Sequence, residues 1–155
     1  MTKTGFHLLE VTACQQDPAG ATILSFAVPE ELRPDFAFLP GQYLTLQTEI
    51  EGEQVRRPYS ICSSPGARLI SVGIRQIDEG RFSQFACHLK PGDQLEVMPP
   101  QGRFTLTTPQ PGQHLLLAAG SGITPMLPIA EALLADHPDC SVMLIWGNRQ
   151  RSRED

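Results

Sequence analysis

The chain has 155 residues, of which 41% are hydrophobic and 19% charged, and its formal net charge is −5. That composition is ordinary for a globular protein of one domain or somewhat more. No apolar run approaches the length that spans a bilayer, and the N-terminus lacks the hydrophobic core of a signal peptide. These features exclude an integral membrane protein and predict a cytoplasmic one.

The charges are unevenly distributed along the chain. Residues 1–55 carry two Lys/Arg against eight Asp/Glu, a net −6, whereas residues 56–103 carry seven against four, a net +3. Residues 104–155 carry three against five, a net −2. An acidic chain with one arginine-rich stretch argues against nucleic-acid binding and favours a confined anionic ligand.

Short segments of the first hundred residues alternate apolar with polar or smaller residues, as is typical of β-strands with one buried face. Turn signals such as Glu51-Gly52 and Pro91-Gly92 separate them. One helix is predicted from about Arg81 to Leu89, where apolar residues share a face. The pattern predicts about six short strands in a small antiparallel barrel or sandwich. The alternating apolar positions are Leu24, Phe26, Val28, Leu44, Leu46, Ile50, Ile70, Val72, Ile74, Leu95 and Val97.

Beyond a predicted linker at residues 107–113 the pattern changes to that of an α/β domain. The continuous apolar run at 115–119 predicts a parallel strand covered on both faces. A helix follows, with Thr124 as its N-cap and Pro125 as its first residue, and residues 141–146 form a second buried strand. One βαβ unit alone leaves sheet edges and a face uncovered, so we expect the chain to be a fragment of a longer protein.

The segment Arg57-Pro58-Tyr59-Ser60 combines a cation, a flat aromatic and a hydroxyl near the end of a predicted strand. Arg57 offers five donors that suit phosphate oxygens, and Pro58 stiffens its extended backbone. Tyr59 could lie against an isoalloxazine ring, and Ser60 could direct its hydroxyl at the flavin N5. A surface arginine, a core tyrosine and an ordinary serine are the alternative interpretation.

A second motif, Gly80-Arg81-Phe82-Ser83, opens the predicted helix of the barrel. Free backbone N–H groups, the positive end of the helix dipole, Arg81 and the Ser83 hydroxyl all favour a phosphate. A solvated turn with a capping serine is the alternative.

A third motif, Gly120-Ser121-Gly122-Ile123-Thr124-Pro125, lies between an apolar strand and a helix, the context of a dinucleotide-binding turn. A proline replaces the last glycine of the standard pattern, and a simple tight turn is the alternative. After the second strand, Gly147 and Asn148 are followed by alternating arginines, which favours a 2′-phosphate and hence NADPH, with NADH possible. A basic chain end created by truncation is the alternative here. The three arginines are Arg149, Arg151 and Arg153.

The four cysteines and four histidines lie far apart, with no spacing typical of a zinc or iron–sulfur site. No GxSxG motif of a hydrolase is present. We therefore predict no metal site and no hydrolase chemistry.

These motifs, in this order, resemble the ferredoxin–NADP reductase superfamily. Its flavin signature Arg-x-Tyr-Ser matches residues 57–60, and its phosphate-binding helix start matches 80–83. Its Gly-x-Gly-x-x-Pro turn matches 120–125, and its Pro-x-Gly-x-Phe barrel ending matches 100–104. The resemblance implies catalytic roles for Tyr59 and Ser60. The cofactor-binding residues it implies are Arg57, Pro58, Tyr59, Ser60, Arg75, Gly80, Arg81, Phe82, Ser83, Gly120, Ser121, Gly122, Ile123, Thr124, Pro125, Gly147, Asn148 and Arg149.

The resemblance also implies the domain organisation. Residues 1–108 would form an FAD-binding domain, a six-stranded antiparallel Greek-key barrel with one helix. Residues 109–155 would form the start of an α/β nucleotide-binding domain with a parallel sheet, limited to its first βαβ unit. A plant-type [2Fe–2S] domain would follow in the parent protein and is absent from these residues.

The implied activity is hydride transfer from NADPH to the N5 of FAD, followed by single-electron transfer through an iron–sulfur centre to an oxygenase. Residues 41–46, 96–102 and 118–126 are similar to the phenylacetyl-CoA epoxidase reductase subfamily of aromatic degradation. A redox partner protein or oxygenase complex is expected. Three alternatives stay open. The first is a flavin reductase that releases reduced flavin, the second a fragment that only binds FAD or serves as an assembly module for other subunits, and the third a plain β-barrel interaction domain.

Overall fold

The computed structural model describes residues 5–16, 20–106 and 111–148. Its N-terminal part is one antiparallel sheet of six strands with a single α-helix, and its C-terminal part is a parallel strand pair joined by a second α-helix. This arrangement confirms the predicted fold class. The N-terminal elements are β1 (His7–Gln16), β2 (Ala21–Ala27), β3 (Tyr43–Ile50), β4 (Glu53–Ser60), β5 (Ile70–Arg75), α1 (Arg81–Ala86) and β6 (Gln94–Gln101).

The six-stranded sheet has the order β4-β3-β6-β1-β2-β5, and all its pairs are antiparallel. An isolated antiparallel bridge between Ile61 and Val72 joins the two edge strands, so the sheet closes on itself. The alternating apolar residues point inward and form one core, to which Phe26 and Phe82 contribute the largest fully buried side chains. Closure removes the exposed strand edges that an open sheet would present.

The register of β3 and β4 determines where the Arg-Pro-Tyr-Ser segment lies. Glu51 and Gly52 connect the two strands, and both have positive φ angles, 53° and 78°. A two-residue turn of this kind matches the twist of a hairpin and fixes its register. Tyr59 is therefore paired with Leu44, and Ser60 with Tyr43, at the far end of the hairpin.

Helix α1 is shorter than predicted and ends at Ala86 instead of Leu89. After Ala86 the backbone bonds tighten, because His88 and Leu89 donate to the carbonyls three residues before them. Pro91 follows and cannot continue a helix. Leu89 is still only 8% exposed, so its apolar character reflects core packing outside the helix.

The C-terminal part consists of β7 (Gln113–Ala119), α2 (Ile123–Asp136) and β8 (Ser141–Gly147). The two strands are parallel and paired along their whole length, and α2 buries Ile129 and Leu133. The prediction that β7 is covered on both faces is wrong for the described residues. Leu115 and Leu117 are 58% and 60% exposed, because α2 covers only the opposite face. The predicted linker lies outside the described residues at 107–110, and Gln113, assigned to it, begins β7.

Helix α2 begins one residue before Thr124, so the predicted N-cap is wrong. The Thr124 hydroxyl instead donates to the Ser121 carbonyl at 2.9 Å, within a short 3-10 turn over Gly120–Gly122. Pro125 is consequently the third helical residue, and Pro128 lies inside the helix. Among the described residues, α2 is the longest helix, and no helix is long and apolar enough to cross a membrane.

Candidate functional site

Tyr59 lies near the end of β4 with one side of its ring supported by α1. Its ring centroid is 5.6 Å from that of Phe82, which is itself 1% exposed, and the two planes are tilted by 39°. The Tyr59 side chain is half-buried. Burial raises the pKa of the Tyr59 phenol, and the nearby Arg57 charge opposes that rise. Tyr59 therefore presents a firmly held, neutral aromatic surface.

Arg57 precedes Tyr59 by two residues, so both side chains leave the same face of β4. Its guanidinium is exposed, and Nη1 donates to the Arg56 carbonyl at 2.7 Å. Among the described residues it makes no ion pair with a carboxylate. Pro58 is exposed on the opposite face, and Ser60 is half-buried beside Tyr43 of β3. The strand thus brings a cation without a carboxylate partner, an aromatic ring and a hydroxyl to one end of the barrel.

The start of α1 is tightly built around Gly80. A Cβ atom at Gly80 would lie 2.5 Å from the Ser83 Oγ, so no other residue fits without displacing it. The Ser83 hydroxyl accepts the Ile77 N–H at 3.1 Å and donates to the Gly80 carbonyl at 3.0 Å. Ser83 is therefore engaged within the turn and is 5% exposed. The N–H groups of the first helical turn have no acceptor inside the helix.

Arg81, the predicted phosphate ligand, points toward the β3–β4 turn. Its Nη1 is 2.6 Å from Glu53 Oε2, and its Nη2 donates to the Ile50 carbonyl at 2.8 Å and lies 3.6 Å from Glu51. The hydrogen bond to Glu53 raises the pKa of Arg81 above its usual value. These pairs are exposed, and exposed ion pairs contribute little to stability, so Arg81 can exchange them at small cost.

The turn after β7 follows the predicted strand–turn–helix pattern. Gly120 has a φ of 51°, a conformation in which glycine is favoured. Arg75, at the end of β5, places Nη1 3.3 Å from the position that a Gly120 Cβ would occupy. Ser121 is exposed, and Gly122, Ile123 and Pro125 are half-buried at the start of α2. The positive end of this 14-residue helix and the Arg75 guanidinium both favour an anion here.

Two glycines bring α2 close to the barrel. A Cβ atom at Gly73 would lie 3.2 Å from Thr124 Cγ2, and one at Gly41 would lie 3.2 Å from Ile129 Cδ1. Ser64, in the loop after β4, donates a hydrogen bond to Glu131 of α2. The sequence analysis missed these contacts because they join segments remote in the chain.

The residues predicted to distinguish NADPH from NADH lie only partly within the described part of the chain. Gly147 ends β8 and Asn148 follows it, and both are exposed. Arg149 and the two later arginines lie outside the described residues. The sequence analysis also passed over Trp146, whose indole N–H donates to the Gly120 carbonyl at 3.0 Å.

The residues at the end of β4 fit a flavin dinucleotide. Tyr59 offers a ring face backed by Phe82, and Arg57 has a guanidinium that pairs with no carboxylate of the described residues. The glycine-built start of α1 leaves backbone donors for a phosphate. A flavin dinucleotide suits these contacts, because its ring system packs on a flat apolar surface and its pyrophosphate binds cations and N–H donors.

Two family models match the chain in the order that the fold suggests. Residues 9–106 match the oxidoreductase FAD-binding domain, and residues 116–154 match the oxidoreductase NAD-binding domain. The chain belongs to the ferredoxin–NADP reductase family of FAD- and NAD-binding oxidoreductases. Membership confirms the resemblance read from the sequence motifs, and it supports FAD and a nicotinamide nucleotide as the ligands of this family.

Similar proteins include reductase components of oxygenase systems. A subunit of 1,2-phenylacetyl-CoA epoxidase from Escherichia coli strain K12 is 44% identical over 149 residues, covering 94% of this chain and 42% of that protein. The ferredoxin reductase component of 3-ketosteroid-9-alpha-monooxygenase from Rhodococcus rhodochrous is 38% identical, with coverages of 92% and 41%. The crystal structure of a cytochrome P450 reductase from Amycolatopsis is 26% identical with a TM-score of 0.80, covering 95% of this chain and 45% of that one. The chain thus spans about two fifths of the length of these curated relatives.

Proposed function

We propose that this chain is the flavin-reducing part of a cytoplasmic, NADPH-dependent FAD oxidoreductase that feeds electrons through an iron–sulfur centre to an oxygenase. The observation that carries the proposal is the contact of Gly73 with Thr124, which brings the glycine turn of the second domain to the barrel strand beside Tyr59 and Ser60. When bound, FAD supplies the acceptor for a hydride and releases electrons one at a time.

The residues of β4 hold and orient the isoalloxazine. Tyr59 packs against the ring, and its neutral phenol avoids burying a charge there, which agrees with the direction of its pKa. Ser60 would direct its hydroxyl at the flavin N5. Arg57 binds the pyrophosphate, and Pro58 limits the conformations available to the strand at this point.

The start of α1 binds the phosphates through its backbone. Phe82 contributes an N–H group of the first turn. Gly80, whose own N–H donates to the Ile77 carbonyl, leaves the space that the Ser83 hydroxyl fills. Ser83 keeps the turn in shape through its bonds to Ile77 and Gly80. Arg81 would bind the phosphate in exchange for Glu53, which its exposed position permits.

The nicotinamide nucleotide lies along the turn after β7. Gly120 and Gly122 let it approach the backbone, Ser121 and Ile123 line it, and Arg75 supplies a cation. Thr124 and Pro125 lie where the two ligands meet. Gly147 and Asn148 follow the strand end, and Arg149, which lies outside the described residues, carries the charge that suits a 2′-phosphate. This set is the basis for proposing NADPH over NADH.

The names of two relatives support a proposal for the electron acceptor of the parent protein. One is named as part of 1,2-phenylacetyl-CoA epoxidase and another as the reductase component of a ketosteroid monooxygenase. We propose that this chain belongs to an epoxidase reductase of aromatic degradation, with a [2Fe–2S] domain beyond the present residues and an oxygenase as partner.

Absorption spectra of the purified chain, with FAD and then with NADPH or NADH under anaerobic conditions, test the proposal. We expect bound flavin bands that NADPH bleaches faster than NADH. A colourless protein after incubation with FAD contradicts the proposal. Bound FAD that neither nucleotide bleaches indicates a fragment that only binds flavin, whereas turnover of free FMN or riboflavin indicates a flavin reductase.

A further inference from the structure

Trp146 is the single tryptophan of the chain and lies one residue before the end of β8. It is paired with Ala118 of β7, close to the carboxyl ends of both parallel strands. Its indole N–H reaches past that strand end and donates to the Gly120 carbonyl at 3.0 Å, while 52% of the residue stays exposed. In open α/β sheets, ligands bind in the crevice outside these strand ends.

The indole bond controls which polar groups the turn after β7 presents. The N–H of Ile123 also donates to the turn carbonyls, and the Thr124 hydroxyl donates to the Ser121 carbonyl. The carbonyls of Gly120 and Ser121 are therefore occupied by donors of the chain itself. Ile123 uses its N–H inside the turn and Pro125 has none, so Thr124 is the residue among the first three of α2 whose N–H is left for a ligand.

We infer that Trp146 is a positioning residue for the nicotinamide nucleotide, holding the Gly120 carbonyl away from the pyrophosphate so that the turn presents only donors. This role rests on the proposed function and adds to the site a residue that lies outside the sequence motifs. A carbonyl turned toward the ligand would repel the phosphate oxygens, since both are acceptors. Trp146 acts through Gly120 and takes no part in the hydride transfer itself.

Trp146→Phe separates this role from packing, because it keeps an aromatic ring and removes the N–H. The Ile123 N–H still bonds the turn, so the turn stays folded. For the FAD-loaded chain we expect NADP⁺ affinity to fall about 3- to 10-fold, the effect of losing one hydrogen bond. The rate of flavin bleaching at saturating NADPH should stay within about twofold of the original, as for a change in binding alone.

Calorimetric titration with NADP⁺, FAD titration and thermal unfolding are measured on the original chain, on Trp146→Phe and on Met143→Ala. Met143 is the control, because it is 64% exposed on the same strand and makes no bond to the turn. FAD affinity and melting temperature should match in all three. In the original chain, NADP⁺ should also quench the tryptophan fluorescence.

Unchanged NADP⁺ affinity in Trp146→Phe overturns the inference and leaves the proposed function intact. The same holds if Met143→Ala loses as much NADP⁺ affinity as Trp146→Phe. A parallel fall in FAD affinity and melting temperature also overturns it, since Trp146 would then act only in folding. If the original chain binds neither NADP⁺ nor NADPH, the inference and the proposed function both fail.

Discussion

Replacing Tyr59 with alanine tests the flavin platform most directly. The ring is held against the buried Phe82 on one side, and the side chain is only half-buried, so part of its surface is open to a ligand. Tyr59→Ala removes the surface that FAD would cover, while Arg57 and the start of α1 keep their positions. We therefore expect FAD binding to weaken sharply, with pyrophosphate contacts still available.

The magnitude follows from the area that stacking would bury. A half-buried tyrosine keeps on the order of 50 Å² of ring surface for a ligand, which covers a similar area of flavin. At roughly 25 cal/mol per Å² over both surfaces, the loss is about 2.5 kcal/mol, or about 60-fold in Kd. Tyr59→Phe keeps the ring face and should lose much less, since only the phenol hydroxyl is removed.

The assay is FAD titration followed by flavin fluorescence, together with urea unfolding of the flavin-free chain. Phe85→Ala is the matched control, because Phe85 packs edge-to-face on the other part of the same Phe82 ring, at 5.9 Å. It should lower stability about as much as Tyr59→Ala and leave the Kd for FAD nearly unchanged. Full FAD occupancy in Tyr59→Ala, or equal losses in both variants, would refute the platform.

Three further changes probe the neighbouring contacts. Gly73→Val places branched carbons against Thr124, because a Cβ alone would lie 3.2 Å from its methyl group. FAD should stay bound, while anaerobic reduction by NADPH slows at least about tenfold. An unchanged reduction rate would contradict the docking of α2. Gly80→Ala should lower the free energy of unfolding in urea by about 1–3 kcal/mol, because the added methyl group overpacks the turn. It should also weaken FAD binding more than Arg57→Lys does. Unchanged FAD affinity would exclude the start of α1 as a phosphate site. Burial raises the pKa of Tyr59, so its contribution to stability is complete below pH about 10 and is lost as pH rises through the raised value. Arg57→Gln should raise that pKa further, as read from phenolate absorbance in a variant lacking the other tyrosine, and an unchanged or lower pKa would show that the two side chains are not neighbours.

The fold could be predicted from the sequence where local periodicity determines the secondary structure. Alternating apolar residues mark the barrel strands because each strand has one buried face, and the Glu51-Gly52 turn is explicit in the residue types. Helix ends were less readable, since the limits of α1 and α2 depend on hydrogen bonds that several residue types can make. Thr124 illustrates this, because its hydroxyl bonds Ser121 inside the first turn and does not cap it.

The sequence predicted the motifs of the candidate site, but it did not predict the contacts that position their side chains. Tyr59 stands out by its neighbours in sequence, whereas its support by Phe82 depends on how α1 packs across the barrel. Arg81 carries the expected charge, yet it is paired with Glu53, 28 residues earlier, which no local pattern announces. Trp146 left no signal at all, because an aromatic residue near a strand end is common in β-sheets.

Glycines explain how two motifs far apart in the chain can serve one reaction. The approach of α2 to the barrel needs bare backbone at Gly41 and Gly73, where added side chains would strike Ile129 and Thr124. Gly41 is doubly constrained, because a Cβ there would also lie 1.9 Å from the Phe104 carbonyl at a φ of 98°. Close contact of backbone with helix leaves little freedom for the turn after β7 to move relative to Tyr59. The geometry between the two nucleotides is therefore set largely by residues that touch neither of them.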